Sequence, residues 1–349
     1  MLLGRYPTPI TPLPESARAA ELPAGVSLLC KRDDLTSPVY GGNKVRKLES
    51  LLDEARARGA ERIVTVGAVG SHHVLACTVF GVRAGFAVDA VLAPQPWTPH
   101  VEEVVRAALG AGANVHPTSS FVTVPIALAR RLASRGSAYF VPPGGSSVGG
   151  TLGYVEAAAE LAAQIERKEL PRPTSIVVAL GSGGTAAGLL VGLERAGLLH
   201  GPEPVELVAV QVVDPPLTGA TSVLALAMAV RRRLGLSIRR PSLGAMSRAL
   251  RVTRAFLGDG YGHPTAEGSR AMALAARDGL VLDATYTGKA FAGALADART
   301  RPPGATVLFW HTLSAPEPML ALLARAPEGA ALPIPVRALM LGLPTAARQ

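Results

Sequence analysis

The chain has 349 residues, 48% of them hydrophobic, with a formal net charge of +9. That is enough apolar material for two ordinary domains or one large one, and aromatics at 4% leave the core to Ala, Val and Leu. No apolar run approaches the ~20 residues of a membrane-spanning helix, Met1 to Pro7 lacks a signal-peptide pattern, and two cysteines, Cys30 and Cys77, make neither a disulfide framework nor a metal cluster. The expectation is a cytoplasmic protein with no membrane partner and no metal site.

The positive charge alone would admit a nucleic-acid partner. Its arginines are scattered singly or in pairs, and the longest run is Arg231-Arg232-Arg233, without interleaved aromatics. A solvated arginine-rich surface is the reading, and no nucleic-acid partner is expected. Lysine is scarce by comparison: Lys31, Lys44, Lys47, Lys168 and Lys289 are all there are. Where arginine serves for charge, a retained lysine suits work a guanidinium cannot do, such as forming an imine.

In chain order, β-rich apolar runs predict strands near residues 62–66, 87–92, 114–117, 139–141, 175–180, 206–212 and 306–310. Amphipathic, Ala-rich segments between them predict helices at residues 47–58, 99–110, 149–167 and 185–196, the second opened by Thr98 as cap and Pro99 in its first turn. Strands separated by helix-length crossovers imply an α/β fold of open, mostly parallel sheets with helices on both faces. Residues 142–150 and 301–304 are Pro/Gly-rich loops, and the tail after Ala326 has no assigned element.

Two segments carry chemistry. The run Val177-Val178-Ala179-Leu180 is followed at once by Gly181, Ser182, Gly183, Gly184 and Thr185, and then by a helical sequence. Glycines let successive backbone N–H groups converge on one anion, and the helix N-terminus adds positive potential. The loop lacks the Gly-Lys-Ser/Thr of a Walker motif and the GxGxxG spacing of dinucleotide sites, so it reads as a phosphate cradle for another ligand. The second segment is Gly41-Gly42-Asn43-Lys44-Val45-Arg46-Lys47, which places Lys44 at a helix start beside Arg46 and Lys47. Both the positive helix end and the cationic neighbours are expected to lower the pKa of Lys44. A phosphate cradle together with an activated lysine is what pyridoxal phosphate requires, one end held as an anion and the other as an imine on Lys44.

These segments and several others resemble the fold-type-II pyridoxal-phosphate enzymes that include D-cysteine desulfhydrase and 1-aminocyclopropane-1-carboxylate (ACC) deaminase. The resemblance runs from about Pro7 to about Pro316. It includes Lys31-Arg32-Asp33-Asp34-Leu35, Pro143-Gly144-Gly145-Ser146-Ser147 with Gly153-Tyr154, Gly258-Asp259-Gly260-Tyr261-Gly262, Leu282-Asp283-Ala284-Thr285-Tyr286-Thr287-Gly288-Lys289, and His311-Thr312. It implies a tryptophan synthase β-like architecture with a large domain of residues 1–43 and 155–349, a small domain of residues 44–154, and a homodimer. It also implies that Lys44 carries the cofactor, that Lys47 and the loop from Gly181 to Thr185 hold its phosphate, and that Tyr261 and Tyr286 flank the substrate. Ser71 stands at the family's substrate-handling serine, and Thr312 at the residue facing the ring nitrogen.

Departures bear on the substrate. Thr287 stands where ACC deaminases carry Glu, which with Thr312 favours β-elimination, D-cysteine to pyruvate, ammonia and sulfide, over ring opening. A deaminase or lyase acting on ACC or another small amino acid, and a non-catalytic cofactor-binding homologue, are the alternatives. The family's Ser-Asn-His is here Ser71-His72-His73, and its Gly-Gly after His-Thr is Leu313-Ser314. His72 reads either as a substitute donor to the cofactor's ring oxygen, titrating near neutral pH, or as a solvent-facing helix start. A zinc site from His72, His73, His263 and His311 lacks ligand spacing. Tyr154 and Trp97 read as core or rim, Cys77 as a buried apolar residue, and Asp33 and Asp34 as turn or cap residues.

Overall fold

The computed structural model describes residues 1–216, 218–237, 240–327, 333 and 336. The expectation for most of the tail after Ala326 therefore lies outside the described residues. The chain opens with strand β1 (Ile10–Pro12), helix α1 (Pro14–Ala19), strand β2 (Ser27–Arg32) and helix α2 (Asn43–Ala57). Next come β3 (Arg62–Ala68), α3 (His72–Arg83), β4 (Ala87–Ala93), α4 (Pro99–Gly110), β5 (Ala113–Pro117), α5 (Val124–Leu132) and β6 (Ala138–Val141). A long helix α6 (Val148–Glu166) leads to β7 (Ser175–Leu180), α7 (Gly184–Arg195), β8 (Glu206–Gln211), α8 (Ala220–Arg233), α9 (Arg240–Ala249) and β9 (Leu250–Thr253). Helices α10 (Ala266–Ala275) and α11 (Thr287–Arg299), strand β10 (Thr306–His311) and helix α12 (Pro316–Leu323) complete the elements.

The strands form two sheets. A six-stranded sheet has the order β1-β2-β10-β7-β8-β9, antiparallel only between β1 and β2. A four-stranded sheet has the order β5-β4-β3-β6 and is wholly parallel. The expected α/β class thus holds, and the period-2 geometry of a strand explains why the central strands read as unbroken apolar runs. In β7, Ile176, Val178 and Leu180 enter the core under α6 and α7, while Val177 enters the opposite core under α11. In β8, Leu207 and Ala209 join the first core, and Val208 and Val210 the second. The smaller sheet has its own core, in which Val45, Leu48 and Leu51 of α2 meet Leu75 and Val79 of α3.

Strand β2 escaped sequence reading because charge interrupts it. Lys31 is fully buried and donates to Glu160 Oε1 at 2.5 Å, Gln164 Oε1 at 2.5 Å and Thr8 O at 2.7 Å. Asp33, expected in a turn or cap, is instead the centre of a buried polar network. Its carboxylate accepts from Arg46 Nε (3.0 Å) and Nη2 (2.9 Å), Tyr154 Oη (2.6 Å), Trp310 Nε1 (2.8 Å) and Thr8 Oγ1 (3.0 Å). Burial alone would raise its pKa, but the Arg46 charge and these donors outweigh it and hold the carboxyl below its usual range. Tyr154, as expected, is core, and its hydroxyl finds its partner in this network.

Asp33→Ala would leave Arg46, Tyr154 and Trp310 with buried donors unanswered. A loss of about 3–5 kcal/mol follows for a broken buried pair, read as a fall in the urea midpoint. Because the folded pKa of Asp33 is depressed, its contribution is present above the unfolded carboxyl pKa and lost as pH falls through the folded one. An Asp33→Ala variant as stable as the parent at neutral pH would contradict this.

Candidate active site

Three parallel strands end at one cleft, and each delivers a turn to it. After β3 come Ser71 and His72; after β7 comes the glycine loop; after β10 comes Thr312. Ligand sites form in this position, outside the carboxyl ends of parallel strands. The fourth contributor is the start of α2, where Gly42 takes φ 90°, open to glycine but strained for other residues. A side chain there would also strike the Thr312 carbonyl at 2.7 Å.

The anion end of the cleft is built from two loops and one lysine. Gly183 has φ 88° and leads into α7, whose Gly184 N donates to Ser146 Oγ at 3.0 Å. Ser146 Oγ also lies 2.7 Å from Ser182 Oγ and accepts from Lys47 Nζ at 3.4 Å. Lys47 donates to Gly144 O at 3.1 Å as well. A Cβ on Gly184 would meet Ser146 Oγ at 2.5 Å and Lys47 Nζ at 3.0 Å, so a side chain there would displace both from the cradle. Among the described residues no carboxylate pairs with Lys47, although it is 2% exposed. Burial first, and the nearby Lys44 second, push its pKa well below the ordinary lysine value. A buried amine in that position calls for an anion, and a phosphate fits it.

The amine end is Lys44. Its Nζ donates to Asn43 Oδ1 at 2.6 Å, and Asn43 Nδ2 donates to Thr185 Oγ1 at 3.1 Å, so the amine and the start of α7 share one bridging side chain. Burial lowers the Lys44 pKa to about 8, with Cys77 and Asp283 pulling back upward. The expected lowering is found, but Arg46 and Lys47 are not its source. Arg46 turns away to Asp33 and Glu160, and Lys47 turns to the loop at Gly144. Cys77 is itself pushed up to about 12 by burial and is a buried thiol, as read from the sequence.

Tyr261 and Tyr286 come together as expected: Tyr286 Oη donates to Tyr261 Oη at 2.9 Å, with the rings edge to face. Burial raises both pKa values, so both remain phenols. The Tyr261 loop is held by Lys289, which donates to Leu257 O at 2.7 Å and Gly260 O at 3.1 Å. Gly181 lies under Tyr286, where a Cβ would stand 3.3 Å from Cε1. Asp283 caps α11 through the backbone N–H groups of Thr285, Tyr286 and Thr287. Thr287 donates to Asp283 Oδ1 at 2.6 Å, so its hydroxyl serves the helix start.

Ser71 is the N-cap of α3, accepting from Val74 N at 3.4 Å, which leaves its own hydrogen free to donate. Thr312 stands at the turn, its carbonyl accepting from Asn43 N at 3.1 Å. His72 matches neither sequence expectation closely. It is half-buried rather than solvent-facing, with Nδ1 2.5 Å from Tyr40 Oη and Nε2 2.9 Å from His100 Nε2. Burial, then His100, lower its pKa to about 3, so it stays neutral across ordinary pH instead of titrating near 7. With both nitrogens engaged, a donor role towards a ligand would require breaking one of these bonds. No cluster of three or more metal-ligating side chains occurs among the described residues.

A parallel α/β scaffold that sets a poised amine and an anion cradle at the carboxyl ends of its strands defines a fold-type-II pyridoxal-phosphate enzyme. The comparisons agree. Residues 1–312 match the family model described as "Pyridoxal-phosphate dependent enzyme", and the chain belongs to that family. It is similar to the D-cysteine desulfhydrase of Salmonella paratyphi A, 36% identical over 323 residues, covering 89% of this chain and 92% of that protein. The Salmonella newport D-cysteine desulfhydrase is 35% identical over the same length. Among solved structures, an ACC deaminase homologue superposes with a TM-score of 0.72 at 32% identity, covering 92% of this chain and 95% of that one. An O-ureido-L-serine synthase at 20% identity and TM-score 0.60, covering 95% and 96%, shares the fold.

Replacing Lys47 by Met removes the cradle's cation while keeping its volume. Pyridoxal-phosphate affinity should fall roughly ten- to hundredfold, the worth of a charged hydrogen bond, in an absorbance titration of the apoprotein. The apoprotein itself should be no less stable, because a costly buried amine has gone. Unchanged affinity would remove Lys47 from the site.

Proposed function

We propose that this enzyme is a pyridoxal-phosphate-dependent lyase that eliminates the β-substituent of a small amino acid, with D-cysteine giving pyruvate, ammonia and sulfide. The observation that carries the reading is the Lys44 amine, lowered to about 8 by burial and joined through Asn43 to the anion cradle. The desulfhydrase names of the relatives support the substrate. In this reading Lys44 attaches the cofactor; Lys47, Gly181, Ser182, Gly183, Gly184 and Thr185 hold its phosphate, with Ser146 added by geometry; Thr312 lies at the opposite edge.

Bound there, pyridoxal phosphate supplies an electrophilic carbonyl and a conjugated electron sink. The protein supplies the proton chemistry. A lysine with a pKa near 8 is about one-tenth neutral at pH 7, far above an ordinary lysine, so Lys44 can take the substrate's α-proton. Ser71, its hydrogen free at the start of α3, suits the substrate carboxylate. The phenol pair of Tyr261 and Tyr286 can donate to a departing thiolate. The neutral Thr287 and Thr312, in place of a carboxylate, favour elimination over ring opening.

The same proposal takes residues 1–43 with 155–349 as a large domain and residues 44–154 as a small one. The two sheets support this division, with the boundary inside α6 and Tyr40 packed into the smaller core. Among the described residues no helix is long and apolar enough to cross a membrane. A cytoplasmic location and a homodimer remain part of the proposal, the latter read by sedimentation.

The test is turnover with D-cysteine, L-cysteate and ACC. Pyruvate and sulfide from D-cysteine, lost by at least a thousandfold in Lys44→Ala, are the expected result. Pyridoxal phosphate bound with no keto acid from any of the three would reject the reaction. In the apoprotein, acylation of Lys44 should rise with pH around a midpoint near 8, because only the neutral amine reacts.

A further inference from the structure

The turn at Ser71 and His72 is pinned against the start of α4. Gly70 N donates to Gln95 Oε1 at 3.1 Å, and a Cβ on Gly70 would meet Val101 Cγ2 at 2.8 Å. The same segment approaches the other wall of the cleft, where Pro96 Cδ would stand 3.9 Å from a Cβ on Gly262, the residue after Tyr261. At its end two imidazoles meet, with Nε2 of His72 and Nε2 of His100 2.9 Å apart and ring centroids at 5.0 Å. That separation holds one shared hydrogen.

One arrangement of hydrogens satisfies the whole chain. Tyr40 is fully buried and remains a phenol, so it donates to His72 Nδ1. His72 then carries its hydrogen on Nε2 and donates it to His100 Nε2. His100 carries its own on Nδ1, 3.6 Å from the Glu103 carboxylate on the same helix. We propose that His100 is a positioning residue for this site: by accepting the Nε2 hydrogen of His72, it fixes that ring as one neutral tautomer, in one orientation, beside Lys44 and Asp283.

The groups around His72 leave it neutral on balance. Lys44 and the burial of His72 oppose a cation on that ring, while Asp283 favours one and is outweighed. His100, whose side chain is 47% exposed, sits beside Glu103.

The effect on turnover rests on the functional reading above, whereas the tautomer does not, and the experiment separates the two. Holoenzyme labelled with ¹⁵N-histidine is compared with His100→Phe and His100→Gln by long-range ¹H–¹⁵N correlation and by steady-state kinetics from pH 5 to 9. The parent should show His72 as the single Nε2–H tautomer. His100→Phe should mix the tautomers and lower kcat/KM about tenfold, the scale of one hydrogen bond. His100→Gln, whose amide oxygen can accept the same hydrogen, should restore both. A His72 signature unchanged in His100→Phe overturns the proposal, and so does a mixed tautomer with undiminished kcat/KM. Absence of turnover in the parent would instead fault the functional reading, leaving the tautomer comparison to decide this one.

Discussion

The site depends on the buried pair of Asp33 and Arg46. Arg46 lies two residues beyond Lys44 and one before Lys47 on α2, and its guanidinium is bound by both Asp33 oxygens and by Glu160 of α6. Helix periodicity then sets the rest. With Arg46 fixed inward against β2 and α6, Lys44 points to the cleft and Lys47 to the loop before α6, beside the start of α7. Tyr154 and Trp310 complete the shell around Asp33, tying α6 and β10 to the same carboxylate. The helix that carries Lys44 and Lys47 and the strand that ends at Thr312 therefore share one anchor.

The cleft itself is governed by unequal charge compensation. Arg46 is saturated with carboxylate, whereas among the described residues Lys44 and Lys47 are given amide, hydroxyl and carbonyl partners only. Burial lowers the Lys44 pKa to about 8 and leaves Lys47 in want of an anion. Asp283 is the negative group within reach of Lys44, His72 and both tyrosines, yet its oxygens are spent on the start of α11. Its field reaches the cleft without its hydrogen bonds doing so.

The sheets were legible in the sequence because parallel strands buried on both faces, such as β7 and β8, read as unbroken Val, Ala and Leu runs. Strand β2 was hidden because Lys31 and Arg32 mimic a surface segment, and the distant Glu160 and Gln164, with Thr8 O, answer the buried lysine there. Lys44, Lys47 and the Gly181 loop could be read locally, each sitting in one glycine-rich stretch. Ser146, Asn43 and Asp283 lay inside quoted motifs, but their contacts come from folding. The pairing of His72 with His100 had no local signal at all, since it joins two helix starts 28 residues apart in the chain. The cause assigned to the Lys44 shift failed for a related reason: sequence neighbours on a helix diverge around it, and burial, which a one-dimensional reading does not give, carries the effect.

The central claim is that Lys44 is the residue to which the cofactor becomes attached. Borohydride reduction of the holoprotein, followed by peptide mass mapping, tests it directly. The account predicts a phosphopyridoxyl group on the peptide containing Lys44 and on none other. The same mass on Lys47 or Lys289, or no modified peptide from protein saturated with pyridoxal phosphate, would contradict it.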